Sequence, residues 1–175
     1  RSTGSRRTGS VAMGRIEELS ESYGQHISTP WPRTVAGAQR VVMVVYDKEL
    51  ERTLRARRQL FELETQRGLH AWFEVDITDA FAEWMASDEY REAYFEMPSD
   101  LTLKLESEFA SYVADRIRTA LSQPAVTENS VVAVFGVGSI FGFTRMAKVL
   151  KLVEGDIKGR LVVFFPGSFE QSNYR

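Results

Sequence analysis

SVVAVF at Ser130–Phe135 runs directly into GVGS at Gly136–Ser139, and this junction decides the fold. An apolar run without polar alternation needs cover on both faces, the environment of a parallel sheet flanked by helices. Two more segments share the pattern, RVVMVVY at Arg40–Tyr46 and RLVVFF at Arg160–Phe165, and AWFEV at Ala71–Val75 reads as a further strand. The unbroken β-branched run at Arg40–Tyr46 reads like a strand from the centre of such a sheet.

Helical periodicity fills the intervals. Gly14–Tyr23 predicts a short helix through Ile16 and Leu19, broken downstream by Pro30 and Pro32. Asp47 is placed to cap a helix reaching about Gln66, with Leu50, Leu54, Leu60 and Phe61 inward and Gly68 as its stop. A third helix is expected from Asp79 to about Tyr94, with Phe81, Trp84 and Met85 inward and Pro98 beyond it. A longer one spans Leu101–Leu121 through Leu105, Phe109, Tyr112, Val113 and Ile117. The last runs from about Phe143 to Val153 and ends at Gly155. Strands alternating with helices predict an α/β fold: a doubly wound, mainly parallel sheet of about four to five strands. Helices cover both faces, and a helical insert precedes the third strand.

Residues 1–13 are expected to be a disordered arm, or residues not native to the protein, because RSTGSRRTGS has no apolar period and the chain does not begin with Met. Residues 14–175 are expected to form a single α/β domain. The sequence stops ten residues after the fourth strand, so a further strand is expected beyond Arg175.

Composition bounds the function. Hydrophobic residues make up 43% and charged residues 26% of the 175, an ordinary globular balance. Zero cysteines removes disulfides, thiolate metal sites and cysteine nucleophiles. No apolar run approaches the roughly 18–20 residues that cross a bilayer, so a cytoplasmic protein without membrane contact is expected. Net charge is −2 but unevenly spread. Arg1, Arg6, Arg7 and Arg15 open the chain without an acid, and Arg52, Arg55, Arg57 and Arg58 form a second cluster. Ile77–Glu108 carries nine acids against Arg91 and Lys104. Such polarity suits a steered protein contact or a solvated surface.

The chemistry-bearing candidates cluster at strand ends. Gly136-Val137-Gly138-Ser139-Ile140-Phe141-Gly142 follows a buried strand and precedes a helix, where backbone N–H groups favour an anion. Its G-x-G-x-x-x-G spacing is one residue longer than the dinucleotide fingerprint, and no Lys-Ser/Thr pair follows. Tight strand-to-helix geometry is the alternative reading. Ser139 lacks a G-x-S-x-G elbow, and the two histidines, His26 and His70, are expected away from it. Asp47 and Asp76 follow the first two strands and read as helix caps, or alternatively as a carboxylate pair for Mg²⁺. Arg52, Arg55 and Arg58 read as a solvated face, a contact for an acidic partner, or a nucleic-acid contact. Trp31, Phe141 and Phe143 are bulky aromatics in loops, suited to anchoring an interface or to packing beneath the helical insert. No cofactor is expected. The residues favour binding over chemistry, with a nucleotide- or Mg-dependent accessory enzyme and a DNA-binding accessory factor as alternatives.

Val131–Arg175 resembles the BrxB family of BREX (bacteriophage exclusion) defence systems. The resemblance rests on a buried strand entering a G-V-G-S turn (Gly136, Val137, Gly138, Ser139), then the aromatics Phe141 and Phe143 and the arginine Arg145. A hydrophobic strand follows, ending in Phe165-Pro166-Gly167-Ser168, with Phe169, Gln171 and Ser172 after it. Residues 40–130 fit more loosely, and Tyr46-Asp47-Lys48 stands where members usually carry an aromatic-proline extension. The resemblance implies a small cytoplasmic component of a multi-protein antiviral system, with no established enzymatic activity. Such systems also contain a DNA methyltransferase, a large ATPase and the phosphatase-like protein PglZ, and PglZ is the implied partner.

Overall fold

The apolar runs form four parallel strands, as the absence of polar alternation requires. The structure, a computed structural model, describes residues 5–87 and 105–167. Strands β1 (Val41–Tyr46), β2 (Ala71–Asp76), β3 (Ser130–Phe135) and β4 (Arg160–Pro166) make one sheet in the order β1-β4-β3-β2. Val41 lies beside Leu161, Val132 beside Leu161 on the other flank, and Ala71 beside Ser130, all in parallel.

Among the described residues six helices cover the two faces. They are α1 (Ser5–Ser28), α2 (Glu51–Ala56), α3 (Gln59–Arg67), α4 (Ala80–Ser87), α5 (Ala110–Leu121) and α6 (Met146–Val153). Successive strand residues point to opposite faces, so each strand feeds two cores. Val162 and Phe164 join Val131, Ala133 and Phe135 beneath Ile16, Ile27, Leu54 and Phe61 of α1–α3. Leu161, Val163 and Phe165 join Val132 and Val134 beneath Trp84, Val113, Ile117 and Val149 of α4–α6. Phe164 is fully buried, stacks on Phe135 at 4.5 Å and meets the edge of Phe61 at 4.9 Å. Burying each such ring stabilises the fold by roughly 1.5–3 kcal/mol.

Several sequence expectations need correcting. Among the described residues β1 is an edge strand, not a central one: β4 is its partner and it is only partly buried. Val42, Val44 and Tyr46 face one core while Val41, Met43 and Val45 face the other. Apolarity therefore reports the cover above and below β1 and says nothing of its lateral neighbours. The helix expected at Gly14–Tyr23 is longer, since α1 begins at Ser5 and ends at Ser28; residues 5–13, expected in an arm, continue its axis. Ile16, Tyr23 and Ile27 anchor its later turns in the core.

The helix expected from Asp47 to Gln66 is three pieces. A 3₁₀ turn at Lys48–Leu50 precedes α2, and Arg57 (φ −113°, ψ 16°) interrupts the path to α3 while its guanidinium reaches Glu17 of α1 at 3.1 Å. The stop is also displaced by one residue. Gly68 has an ordinary φ of −77°, and Leu69 takes the left-handed position at φ 66°. The bonds Leu69 N–H to Gln66 O and His70 N–H to Thr65 O complete a Schellman motif there. α4 occupies the start of the helix expected from Asp79, and its continuation toward Tyr94 lies outside the described residues. The helical insert enters as a π-turn at Leu105–Phe109 before α5. Most of the acidic stretch, from Asp88 to Lys104, is likewise outside the described residues.

Candidate functional site

The carboxyl ends of all four strands converge on one cleft. Chains leaving β1 and β3 pass to opposite faces of the sheet, and in parallel sheets such divergence opens a crevice. This one, about 370 Å³, is lined by Lys48, Glu51, Arg55, Thr78, Gly136, Gly138, Ser139 and Pro166.

Gly136 is the pivot. Its φ of +83° suits a residue without a Cβ, and an added Cβ would lie 2.6 Å from the Thr78 nitrogen and 2.7 Å from Asp76 Oδ1. The turn after β2 thus nests against the turn after β3, tied by the Ile77 N–H to the Phe135 carbonyl at 2.9 Å. On the other flank a Cβ at Gly138 would touch Pro166 at 3.2 Å, and the Gly167 N–H donates to the Tyr46 carbonyl at 2.8 Å. The two turns that carry the resemblance, Gly136–Ser139 and Pro166-Gly167, are therefore neighbours. Ser168 and Phe169, named with them, lie outside the described residues, as do Gln171 and Ser172.

The glycine turn differs from the expected helix start. Val137–Ile140 forms a 3₁₀ turn, Gly142 turns the chain again at φ +87°, and α6 begins only at Met146, with Arg145 extended at its cap position. The Ser139 and Phe141 N–H groups donate to the Gly136 and Gly138 carbonyls, so they point into the turn rather than toward an anion. Phe143, expected to open the helix, is half-buried and stacks on Phe81 at 3.9 Å; Phe141 packs against Phe165 at 5.1 Å. Both follow the packing alternative.

Charges around the cleft are matched to one another. Arg55 bonds Glu51 at 2.9 Å, Asp76 at 3.0 Å and the Thr78 hydroxyl at 2.7 Å. Asp76 also accepts from the Thr78 N–H at 2.9 Å and from its hydroxyl. Burial works to raise the Asp76 carboxyl, but the Thr78 hydrogen bonds and the Arg55 pair outweigh it and hold the group below the usual carboxylate range. The Tyr46 hydroxyl donates to Glu51, and burial first, then Glu51, pushes that phenol well above its ordinary value. Asp47 caps the Lys48–Leu50 turn, accepting from the Glu49 N–H at 3.0 Å. Asp76, expected to cap a helix, instead ends β2, closes a turn with Thr78 and pairs with Arg55, since α4 begins only at Ala80. Among the described residues no group of three His, Asp or Glu side chains gathers to hold a metal.

Arg58 pairs with Glu74 at 3.3 Å, and Arg55 and Arg57 as above, so three members of the arginine cluster are neutralised within the chain while Arg52 is exposed. The Ser139 hydroxyl lies 2.7 Å from the Gly136 carbonyl and 3.2 Å from that of Ile77. Neither histidine is near it. His70 precedes β2 at the amino edge of the sheet, and His26 sits on α1 beside β1.

Sequence reading missed the Arg55–Asp76–Thr78 network. Arg55 of α2 lies 21 and 23 residues from Asp76 and Thr78 in the chain, and only the placing of α2 beside the carboxyl end of β2 brings them together.

The family described as BREX protein BrxB matches residues 73–175, more than half of the chain. The chain belongs to the BrxB family. The matched region begins in β2 and takes in both turns of the cleft; it is shorter than the resemblance read over residues 40–175 and contains its strongest part, Val131–Arg175. The BrxB match leaves out β1 and α2, which carry Asp47 and the arginine cluster. No curated protein and no solved structure matches the chain. Among the described residues no helix is long and apolar enough to cross a membrane.

Proposed function

We propose that the chain is a non-enzymatic interaction subunit of a cytoplasmic BREX-type anti-phage complex, docking a larger component such as PglZ through the rim of the carboxyl-edge cleft. Family membership supports a place among BREX components. The observation that carries the rest is the separation of reactive groups. Ser139 lies at one end of the sheet against backbone carbonyls, while His70 is at the opposite end and His26 lies along α1. A nucleophile needs its base within hydrogen-bond reach. The carboxylates of the cleft are held by Arg55, Thr78 and Tyr46. What remains exposed at the rim is Lys48, Gly138, Gly142 and Arg145.

Co-expression with PglZ followed by size exclusion tests this reading. A shared peak at micromolar concentration is expected, and two separate peaks would reject it. Arg145→Glu refines the test. Arg145 is exposed at the start of α6, where a carboxylate favours the helix dipole. The variant therefore folds, and co-elution is expected to weaken.

A further inference from the structure

At the opposite edge of the sheet, positive charge is gathered without an ion pair among the described residues. Arg160 opens β4 with only 9% of its surface exposed. Its Nη1 donates to the neighbouring Gly159 carbonyl at 3.0 Å, and its guanidinium carbon lies 4.8 Å from the Trp31 ring centroid. The parallel register sets Arg40, just before β1, alongside it. Arg40 donates to the Val35, Ile157, Lys158 and Arg33 carbonyls, all neutral acceptors. With Arg33 and Lys158 they line a pocket of about 290 Å³ whose one carboxylate is Glu128. None of the four cations makes an ion pair among the described residues. In the Arg52–Arg58 cluster, by contrast, Arg55, Arg57 and Arg58 are each matched to an acid.

A buried charge without a partner is costly, and replacing it by an apolar side chain is often neutral or stabilising. Burial, and then the Arg40 charge, draw Arg160 below the ordinary guanidinium value. The pocket is also rigid. Trp31 stacks on His70 at 3.6 Å with planes 3° apart, and its Nε1 donates to the Ile27 carbonyl at 3.0 Å. Asn129 donates to the Leu69 carbonyl at 2.7 Å, which turns its oxygen toward His70 Nδ1 at 2.6 Å. With the Asn129 oxygen as acceptor, that bond places a proton on His70 Nδ1.

We propose that this amino-edge pocket is a phosphate site, in which Arg160, Lys158 and Arg33 bind a phosphate group and Arg40 supplies a fixed charge behind it. Four cations against one carboxylate match a doubly charged oxyanion better than a single carboxylate. The Trp31 ring is engaged by His70 and Arg160, so the pocket reads the phosphate and provides no stacking face for a base. The site is independent of the docking reading above, since it stands at the other end of the strands.

Thermal shift and calorimetry with inorganic phosphate, pyrophosphate, AMP and acetate at matched ionic strength test the proposal. Phosphate is expected to give a saturable rise in melting temperature that acetate does not. Equal affinity for AMP and inorganic phosphate would assign recognition to the phosphate group alone, clearly tighter AMP to a phosphate ester, and clearly tighter pyrophosphate to a phosphoanhydride; each supports the site. Arg160→Met is expected to weaken phosphate by about tenfold or more, as loss of a charge-assisted contact does. If that variant is too unstable to titrate, the exposed pair R33A/K158A must lower the affinity several-fold instead. A flat response to all three phosphates, or unchanged affinity in whichever of these variants is titrated, would overturn the proposal.

Discussion

Replacing Gly136 by alanine isolates the close approach on which the carboxyl edge depends. Two costs add. An L-residue at φ +83° loses about 1–2 kcal/mol. The new Cβ would stand 2.6 Å from the Thr78 nitrogen and 2.7 Å from Asp76 Oδ1, so the β2 turn must move away. That movement breaks the Thr78 N–H bond to Asp76, about 1 kcal/mol, and loosens the Arg55 pair, which is half-exposed and contributes under about 1 kcal/mol. The total is about 3 kcal/mol. Gly142 supplies the control, because it has nearly the same dihedral, +87°, with nothing within 4 Å of an added Cβ. Gly142→Ala is expected to lose only the backbone part, about 1–2 kcal/mol. Urea unfolding of both variants, with the slope checked for constancy, measures the difference. Equal losses, within 0.5 kcal/mol by the usual error of about 10–15% on extrapolation, would refute the claimed nesting of the two turns.

Three further outcomes follow from the same geometry. Leu69→Gly is expected to raise stability by roughly 0.5–1 kcal/mol, since Leu69 is 83% exposed at a left-handed cap; a loss in urea unfolding would show that its side chain matters. The folded Asp76 carboxyl lies below its ordinary 3.8, so its contribution is full above that value and is lost as pH falls through the lower folded one. Asp76→Asn should flatten stability against pH below about 4, by less than about 1 kcal/mol given its exposure, and an unchanged profile would contradict the pairing. Burial raises Tyr23 and Tyr46 above 10, so their contribution is full below that pH and fades as pH climbs through the folded values. Ultraviolet titration of the native protein should find these two phenols ionising only with unfolding; Y23F and Y46F, each removing one such phenol, identify them.

The sheet and its two covered faces were legible because unbroken apolar runs and helical periodicity each report burial directly. Strand order was not. Arg40–Tyr46 looks as apolar as Arg160–Phe165, although one borders the sheet and the other crosses its middle. The missing information is lateral pairing, which side-chain polarity hardly encodes. The left-handed cap at Leu69 was misassigned to Gly68 because propensity favours glycine, while the hydrogen bonds to Thr65 and Gln66 fix the next residue instead. At the carboxyl edge, Gly136 and Ser139 were found from spacing, but the role of Arg55 was hidden by its distance along the chain from Asp76 and Thr78. The amino edge left a faint trace: two apolar strands each open with an arginine. Only the register of β1 against β4 turns that coincidence into a pair of adjacent cations.

The pairing of the first strand with the last described one also governs the order of assembly. During synthesis Val41 reaches water long before Leu161, its lateral mate, exists. Until then a greasy ribbon with open amide and carbonyl rows waits on the nascent polypeptide, protected chiefly by α1 lying over one side. Closing so long a loop comes late and slowly, so clipping or delaying β4 would leave β1 a template for self-association.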